Sequence, residues 1–177
     1  MYKRQTLQQK LQAQGIDSRH LHTSHAFHSH LLEPVLASFT HKIQQVQLHP
    51  PTLPYLSNLT GTWITPEQAT DPDYWVRHLR HTVRFADNLH ALFQQEADVL
   101  LEVGPGHTLS TLAQQHPDYS ARFTVLQSLP RRGETEKNAE TKQILSTLGQ
   151  LWLRGVSVDW DGFYALEKRH RLPLPTY

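Results

Sequence analysis

The chain contains no cysteine in its 177 residues, which removes disulfides, thiolate metal ligands and a cysteine nucleophile. That absence fits a reducing compartment, and the cytoplasm is the expected location. No apolar run approaches the ~18 residues of a membrane-spanning helix. The opening stretch MYKRQTLQQK lacks the apolar centre of a secretory signal. No basic stripe and no block of like charge occurs: 17 basic against 16 acidic residues leave a net +1 with histidine neutral. Nucleic acid and membrane surfaces are therefore not expected partners. There is no internal repeat. What is present suits one domain with a core: Leu, Val, Phe and Trp recur at regular spacing, with 38% hydrophobic residues and a mean hydropathy of −0.54.

The pattern alternates helices with short strands, an α/β reading. QTLQQKLQAQ is a run of helix formers that Gly15 can close. IDSRHLHT reads as extended. Ser29 can cap the helix HLLEPVLASFTHKIQQV, on which Leu32, Leu36, Phe39 and Ile43 share a face and Pro34 lies near the start. The prolines of LHPPTLPYLSNLTG forbid a helix and predict a short strand at YLSN, ended by a turn at Gly61. Asp71 and Pro72 open a helix. In RFADNLHALFQQ, Phe85, Leu89, Leu92 and Phe93 share one face. DVLLEVGPG predicts a buried strand stopped by Gly-Pro-Gly, HTLSTLAQQ a helix and RFTVLQSL a second strand. PRRGETEKNAE is polar and predicts a surface linker. TKQILSTLGQLWLRG predicts an amphipathic helix with Ile144, Leu148, Leu151 and Trp152 aligned and Gly155 at its end.

Three places could carry chemistry. SHAFHSHLLEP crowds His25, His28 and His30 together, in a chain with 13 histidines. As metal ligands they have no cysteine beside them and no acidic residue at a known ligand spacing. As surface residues they need no explanation. As a base, His28 sits where a helix begins, and the partial positive field there disfavours imidazolium, so a neutral histidine is a competent base at pH 7. The second place is EVGPGHTLS, a strand, glycine turn and helix laid out like a phosphate loop or a nucleophile elbow. Thr108 occupies the nucleophile slot, Ser110 stands in place of the second glycine, and no G-x-x-x-x-G-K or G-x-S-x-G occurs anywhere. A structural turn is the better reading. The third is the aromatic tail, where Trp152, Trp160, Phe163, Tyr164 and Tyr177 either line a pocket or fasten an extended segment to a neighbouring surface.

TSHAFHSHLLEPVL, LPYLSNLTG, DPDYWVRHLRHTVRFADNL and LLEVGPGHTLSTL, in this order, resemble the C-terminal part of a malonyl-type acyltransferase domain of a modular polyketide synthase. LGQLWLRGVSVDWDGFY followed by RHRLPLPTY resembles the linker that follows such a domain. The resemblance begins near residue 11 and reaches the last residue; MYKRQ has no counterpart in it. It implies an α/β-hydrolase-like large subdomain and a ferredoxin-like small one. Residues 1–22 would then finish the small subdomain, 23–116 form the C-terminal part of the large one, and 117–177 form the linker.

By the same resemblance, a serine in a G-H-S-x-G elbow attacks malonyl-CoA and a histidine takes its proton. A carrier protein's phosphopantetheine thiol then collects the acyl group. The histidine that ends HAFH maps to His28, and His25, Ala26 and Phe27 form the rest of the substrate-specificity motif. His30 would be incidental, and His78 matches the position whose backbone carbonyl orients the imidazole. Phe27 resembles the malonyl-selecting version of the motif, the methylmalonyl version reading YASH. No metal and no cofactor held by this chain is implied. The implied partners are the upstream part of the same acyltransferase, a ketosynthase and an acyl carrier protein. The elbow serine, the oxyanion-hole donors and the carboxylate-binding arginine of the family lie upstream of these motifs, so the chain alone is expected to be an inactive fragment. The alternatives are a non-catalytic docking module of a megasynthase and, more distantly, a metal hydrolase built on the histidine cluster.

Overall fold

The computed structural model describes residues 2–18, 23–96, 98–131, 133, 137–167 and 172–173, with the side chains of 2–4 excluded. The expected extended segment at IDSRHLHT and the polar linker at PRRGETEKNAE fall partly outside the described residues, and Pro175 and Tyr177 of the tail wholly so. The chain forms two compact units, 1–85 and 86–177.

In the first unit, α1 (Tyr2–Ala13) is closed by Gly15 at φ +70°, with the Ile16 amide returning to the Leu11 carbonyl. Ser29 caps a single 3-10 turn, His30–Leu32, which runs on into α2 (Glu33–Ile43). The face expected on α2 forms: Leu32, Leu36, Phe39 and Ile43 are half-buried among exposed neighbours. The strand expected at YLSN does not extend; it shrinks to one antiparallel bridge between Leu56 and Trp63. Pro50, Pro51 and Pro54 have no amide to donate to a longer ladder. The turn is instead closed by the Ser57 amide on Thr62 O and the Gly61 amide on Ser57 O, both at 2.8 Å. α3 (Pro66–Thr70) was not anticipated, although Thr65 and Gln68 form a reciprocal capping box around Pro66. Asp71 accepts from the Asp73 amide and opens α4 (Pro72–Arg80), as expected.

α5 (Phe85–Phe93) begins where the units divide, and its expected apolar face packs inward through Leu89 and Phe93. Then follow β1 (Val99–Pro105), α6 (Thr108–Gln114), β2 (Thr124–Leu129), α7 (Ala139–Leu153) and α8 (Trp160–Tyr164). β1 and β2 pair in parallel, Leu101 opposite Leu126, with an irregularity between Glu102 and Pro105. There the Gly104 amide turns to the Ser128 hydroxyl at 2.9 Å. The core gathers Leu89, Phe93, Ala113, Phe123 and Leu126, with the Phe93 and Phe123 rings 4.7 Å apart.

Two expectations about faces need correction. β1 is nowhere fully buried: Leu101 and Val103 are 40% and 82% exposed, while Leu100 and Glu102 on the other face are half-buried. On α7 the inward stripe is rotated, leaving Ile144 and Trp152 exposed and Thr147 only 3% exposed. The reason is polar. Thr147 Oγ1 and Gln143 Nε2 both donate to the Gln127 carbonyl of β2, at 2.6 and 3.0 Å, and this rolls the helix by about one position.

The turn between β1 and α6 is closed by a carboxylate. Glu102 accepts from the Leu109 amide at 3.1 Å and the Ser110 amide at 2.8 Å, satisfying two donors at the start of α6. Partial burial opposes its ionisation, but those amides, with His107 nearby, hold the carboxyl below its usual value of 4.5. A carboxyl depressed by folding contributes stability above its unfolded value, and that contribution is lost as pH falls through the folded one. Glu102→Ala is thus expected to lower stability by about 1–2 kcal/mol at neutral pH, as for loss of a helix cap. Urea unfolding across a pH series checks this: the deficit should shrink below pH 4.5.

Candidate active site

Among the described residues, His28 is one of two non-glycine residues with positive φ, at +56°, a left-handed conformation that costs a non-glycine residue roughly 1–2 kcal/mol. A network around it holds it there. Ser29 Oγ donates back to the Ala26 carbonyl at 2.5 Å and accepts from the Leu31 amide, which fixes the chain on its C-terminal side. The imidazole reaches the end of α4. His28 Nδ1 lies 3.2 Å from the His78 carbonyl and 3.0 Å from the His81 carbonyl.

Both partners are carbonyl oxygens and can only accept, so Nδ1 carries the hydrogen and donates to both. Nε2 is then left with its lone pair. The His78 carbonyl belongs to the last turn of α4, where no further turn supplies an amide, and the His81 carbonyl belongs to the extended residue that caps it. This revises the sequence-based electrostatics. The helix start at Ser29 is a single 3-10 turn, and the nearest helix terminus addressing the ring is the C-terminal end of α4. An imidazole so held has Nε2, and not Nδ1, as its proton-accepting nitrogen.

α4 is itself tied down. Arg80 meets Glu33 at 2.8 Å, joining the end of α4 to the start of α2. Trp75 Nε1 donates to the Ala69 carbonyl at 3.0 Å. The His78 ring packs beside Tyr74 and Trp75 and meets the His28 ring edge-on, centroids 6.1 Å apart. Burial first, and the facing His28 second, hold the His78 imidazole below its usual 6.5.

The other expected residues are placed as follows. His25 Nδ1 lies 3.0 Å from Ser24 Oγ, and its ring is 6.4 Å from that of Phe27. Phe27 is 56% exposed, and Ala26 and His30 are exposed. His25, His28 and His30 do not converge; among the described residues no three side chains of metal-binding type do. In the second candidate, Ser110 is 2% exposed and the Leu109 and Ser110 amides are already occupied by Glu102, while Thr108, in the nucleophile slot, is exposed. The carbonyl of His81 was missed in the sequence. A histidine at a helix end carries no pattern that says its backbone will be used. Also missed was His90, which contacts Asp118, while the Asp118 amide donates to His116 Nδ1 and His116 Nε2 donates to Ala86 O. This group fastens the second unit internally.

His28 is thus anchored at Nδ1 by two backbone carbonyls, on a chain that combines helices with a parallel strand pair. The chain belongs to the acyl transferase domain family, whose model matches residues 4–157. It is 37% identical over 154 residues to a phenolphthiocerol/phthiocerol polyketide synthase of Mycobacterium tuberculosis, covering 87% of this chain and 10% of that protein. The acyl transferase domain of ZmaA superposes with a TM-score of 0.81 at 36% identity, over 96% of this chain and 38% of that domain. The acyl transferase domain of SpnD, solved with 2-(pent-4-yn-1-yl)malonyl, superposes with a TM-score of 0.77 at 38% identity, over 86% of this chain and 36% of that one. The chain thus spans well under half of the domains it matches. Among the described residues no helix is long and apolar enough to cross a membrane.

His78 is expected to titrate below 6.5 in a ring-proton NMR titration. Because the folded state resists its protonation, stability present above pH 6.5 should be lost as pH falls through its folded value. His28→Gln removes only the smaller cause, so it should move the His78 midpoint part of the way back up.

Proposed function

We propose that the chain is the C-terminal part of a polyketide synthase acyltransferase and supplies its general base. The observation that carries this is the pair of hydrogen bonds from His28 Nδ1 to the His78 and His81 carbonyls, which leaves Nε2 as a proton acceptor. In the complete enzyme, His28 takes the proton of a serine contributed by the upstream part of the domain as that serine attacks the thioester of malonyl-CoA. The tetrahedral adduct collapses, the CoA thiol leaves, and an acyl-serine remains. His28 returns its proton to the departing CoA sulfur; the phosphopantetheine thiol of an acyl carrier protein then attacks the acyl-serine, His28 takes the thiol proton, and the serine oxygen leaves with that proton as the acyl group passes to the carrier sulfur. The two carbonyls stabilise the transient imidazolium and play the part that an aspartate plays in a triad.

Malonyl selection is proposed for His25, Ala26 and Phe27. The Phe27 ring stands one residue before the base and would occupy the space beside the acyl α-carbon. Excluding one methyl by volume is worth only ~1–3 kcal/mol, so the motif biases the choice. That SpnD's domain was solved with a substituted malonyl group supports a malonyl-type substrate here.

Residues 1–22 would finish the small subdomain, 23–116 form the C-terminal part of the large one and 117–177 the linker, at whose start β2 pairs along β1. The linker then leads through α7 and α8, where Trp160, Phe163 and Tyr164 stack on one another without burying any of α8. Such an exposed aromatic group fits docking on a ketosynthase. The cytoplasm, where malonyl-CoA and a reduced carrier thiol coexist, is the proposed location.

No G-x-S-x-G occurs in the chain, so the chain alone should form no acyl-enzyme with radiolabelled malonyl-CoA, and label on Thr108 or Ser110 would overturn the fragment reading. In the complete domain, His28→Ala should slow acylation by at least ~10²-fold, with His30→Ala near neutral. Equal losses from both would mean that the base is misassigned.

Phe27→Ser combined with His25→Tyr should raise use of methylmalonyl-CoA relative to malonyl-CoA when the two compete in the complete domain. An unchanged ratio would place selectivity elsewhere.

A further inference from the structure

Among the described residues, Ser57 and Tyr74 are fully buried, and the Tyr74 ring lies beside that of His78 on α4. Ser57 is 0% exposed and Tyr74 1% exposed, and their hydroxyl oxygens are 2.6 Å apart. Ser57 Oγ also accepts from the Leu59 and Thr60 amides, each at 3.1 Å. With both lone pairs so used, its own hydrogen is left for the Tyr74 oxygen.

Tyr74 is the one buried residue of α4, so the roll of that nine-residue helix about its axis depends on where this ring is seated. The turn that holds Ser57 grips α4 a second time, just past its end, where the Arg84 amide donates to the Asn58 carbonyl at 2.9 Å. Between these two grips lie His78 and His81. A small rotation of α4 would carry their carbonyls away from a single Nδ1 hydrogen, because a hydrogen bond weakens steeply with angle.

We propose that Ser57 and Tyr74 are positioning residues for the acyl-transfer step: a buried hydroxyl pair that fixes α4, and through it the carbonyls that select the Nδ1–H form of His28. This rests on the reading of His28 as the base. The pair acts at a distance, through one helix, on which ring nitrogen of His28 is free to take a proton.

The test uses the complete acyltransferase domain with Ser57→Ala, Tyr74→Phe and the double variant. The ring nitrogens of His28, assigned by their loss in His28→Gln, are read by 15N NMR alongside the kinetics of acyl-enzyme formation. Each single variant should lower the acylation rate about tenfold while KM for the acyl-CoA changes little, the cost of a slightly misplaced catalytic group. The double variant should be little worse than either single one. The nitrogen shifts should move from those of the Nδ1–H form towards a mixture of both tautomers. Leu126→Ala, a core truncation in the other unit, should lower stability without moving the tautomer. A slower reaction with the His28 tautomer unchanged, or a wild-type rate in Tyr74→Phe, would overturn the proposal. The two single variants are read separately, so one that folds is enough to decide. If neither folds, the pair holds the fold and not the histidine, and the assignment fails. Full acylation by His28→Ala would sink the base reading alone, since the tautomer result does not depend on activity.

Discussion

Two carbonyl oxygens sharing one imidazole hydrogen form the contact on which the first unit is organised. A histidine in a left-handed conformation is a local cost, and a ring free to rotate would be a poor base. The end of α4 answers both problems. Its last carbonyls need donors, and the ring of His28 supplies one. The exchange satisfies groups that the helix would otherwise leave to solvent, and it decides which nitrogen can accept a proton. Arg80 with Glu33, Trp75 with Ala69 and Tyr74 with Ser57 each restrain the same short helix from a different side.

The second unit solves a comparable problem with a carboxylate. Strand, glycine turn and helix together make a place where free amides point outward, and such places commonly receive phosphates. Here Glu102 reaches across from β1 and occupies them. The same local layout therefore serves as a brace and not as a binding loop, and Ser110 is buried behind it. Polar groups also set the seat of α7, where Thr147 and Gln143 share the Gln127 carbonyl and override the apolar stripe. One half-buried carbonyl with two side-chain donors is matched by two large side chains left exposed.

A chain covering 38% of a matched acyl transferase domain presents surfaces that a complete domain would treat differently. Val103 on β1 and Trp152 on α7 stand exposed in residue types that ordinarily seek cover.

Sequence alone determined the helices with strong ends: Asp71–Pro72 opening α4, the Leu32, Leu36, Phe39 and Ile43 face of α2, and Gly15 closing α1. These depend on caps and periodicity within a few residues, so they are legible locally. The two parallel strands were legible for the same reason, as apolar runs bounded by turn residues, and HAFH with its surrounding motifs was enough to point at His28 through family resemblance. The capping box of α3 was equally local and was simply overlooked. Only the tertiary structure decided the rest. That His81 joins His78 in holding His28, that YLSN collapses to one bridge around a buried serine, and that Glu102 fills the turn before α6 all depend on groups brought together from distant parts of the chain, or on backbone atoms that every residue carries alike. A backbone carbonyl has no letter in the sequence. It acquires a role only when the fold leaves it without its helical partner and places a donor in front of it.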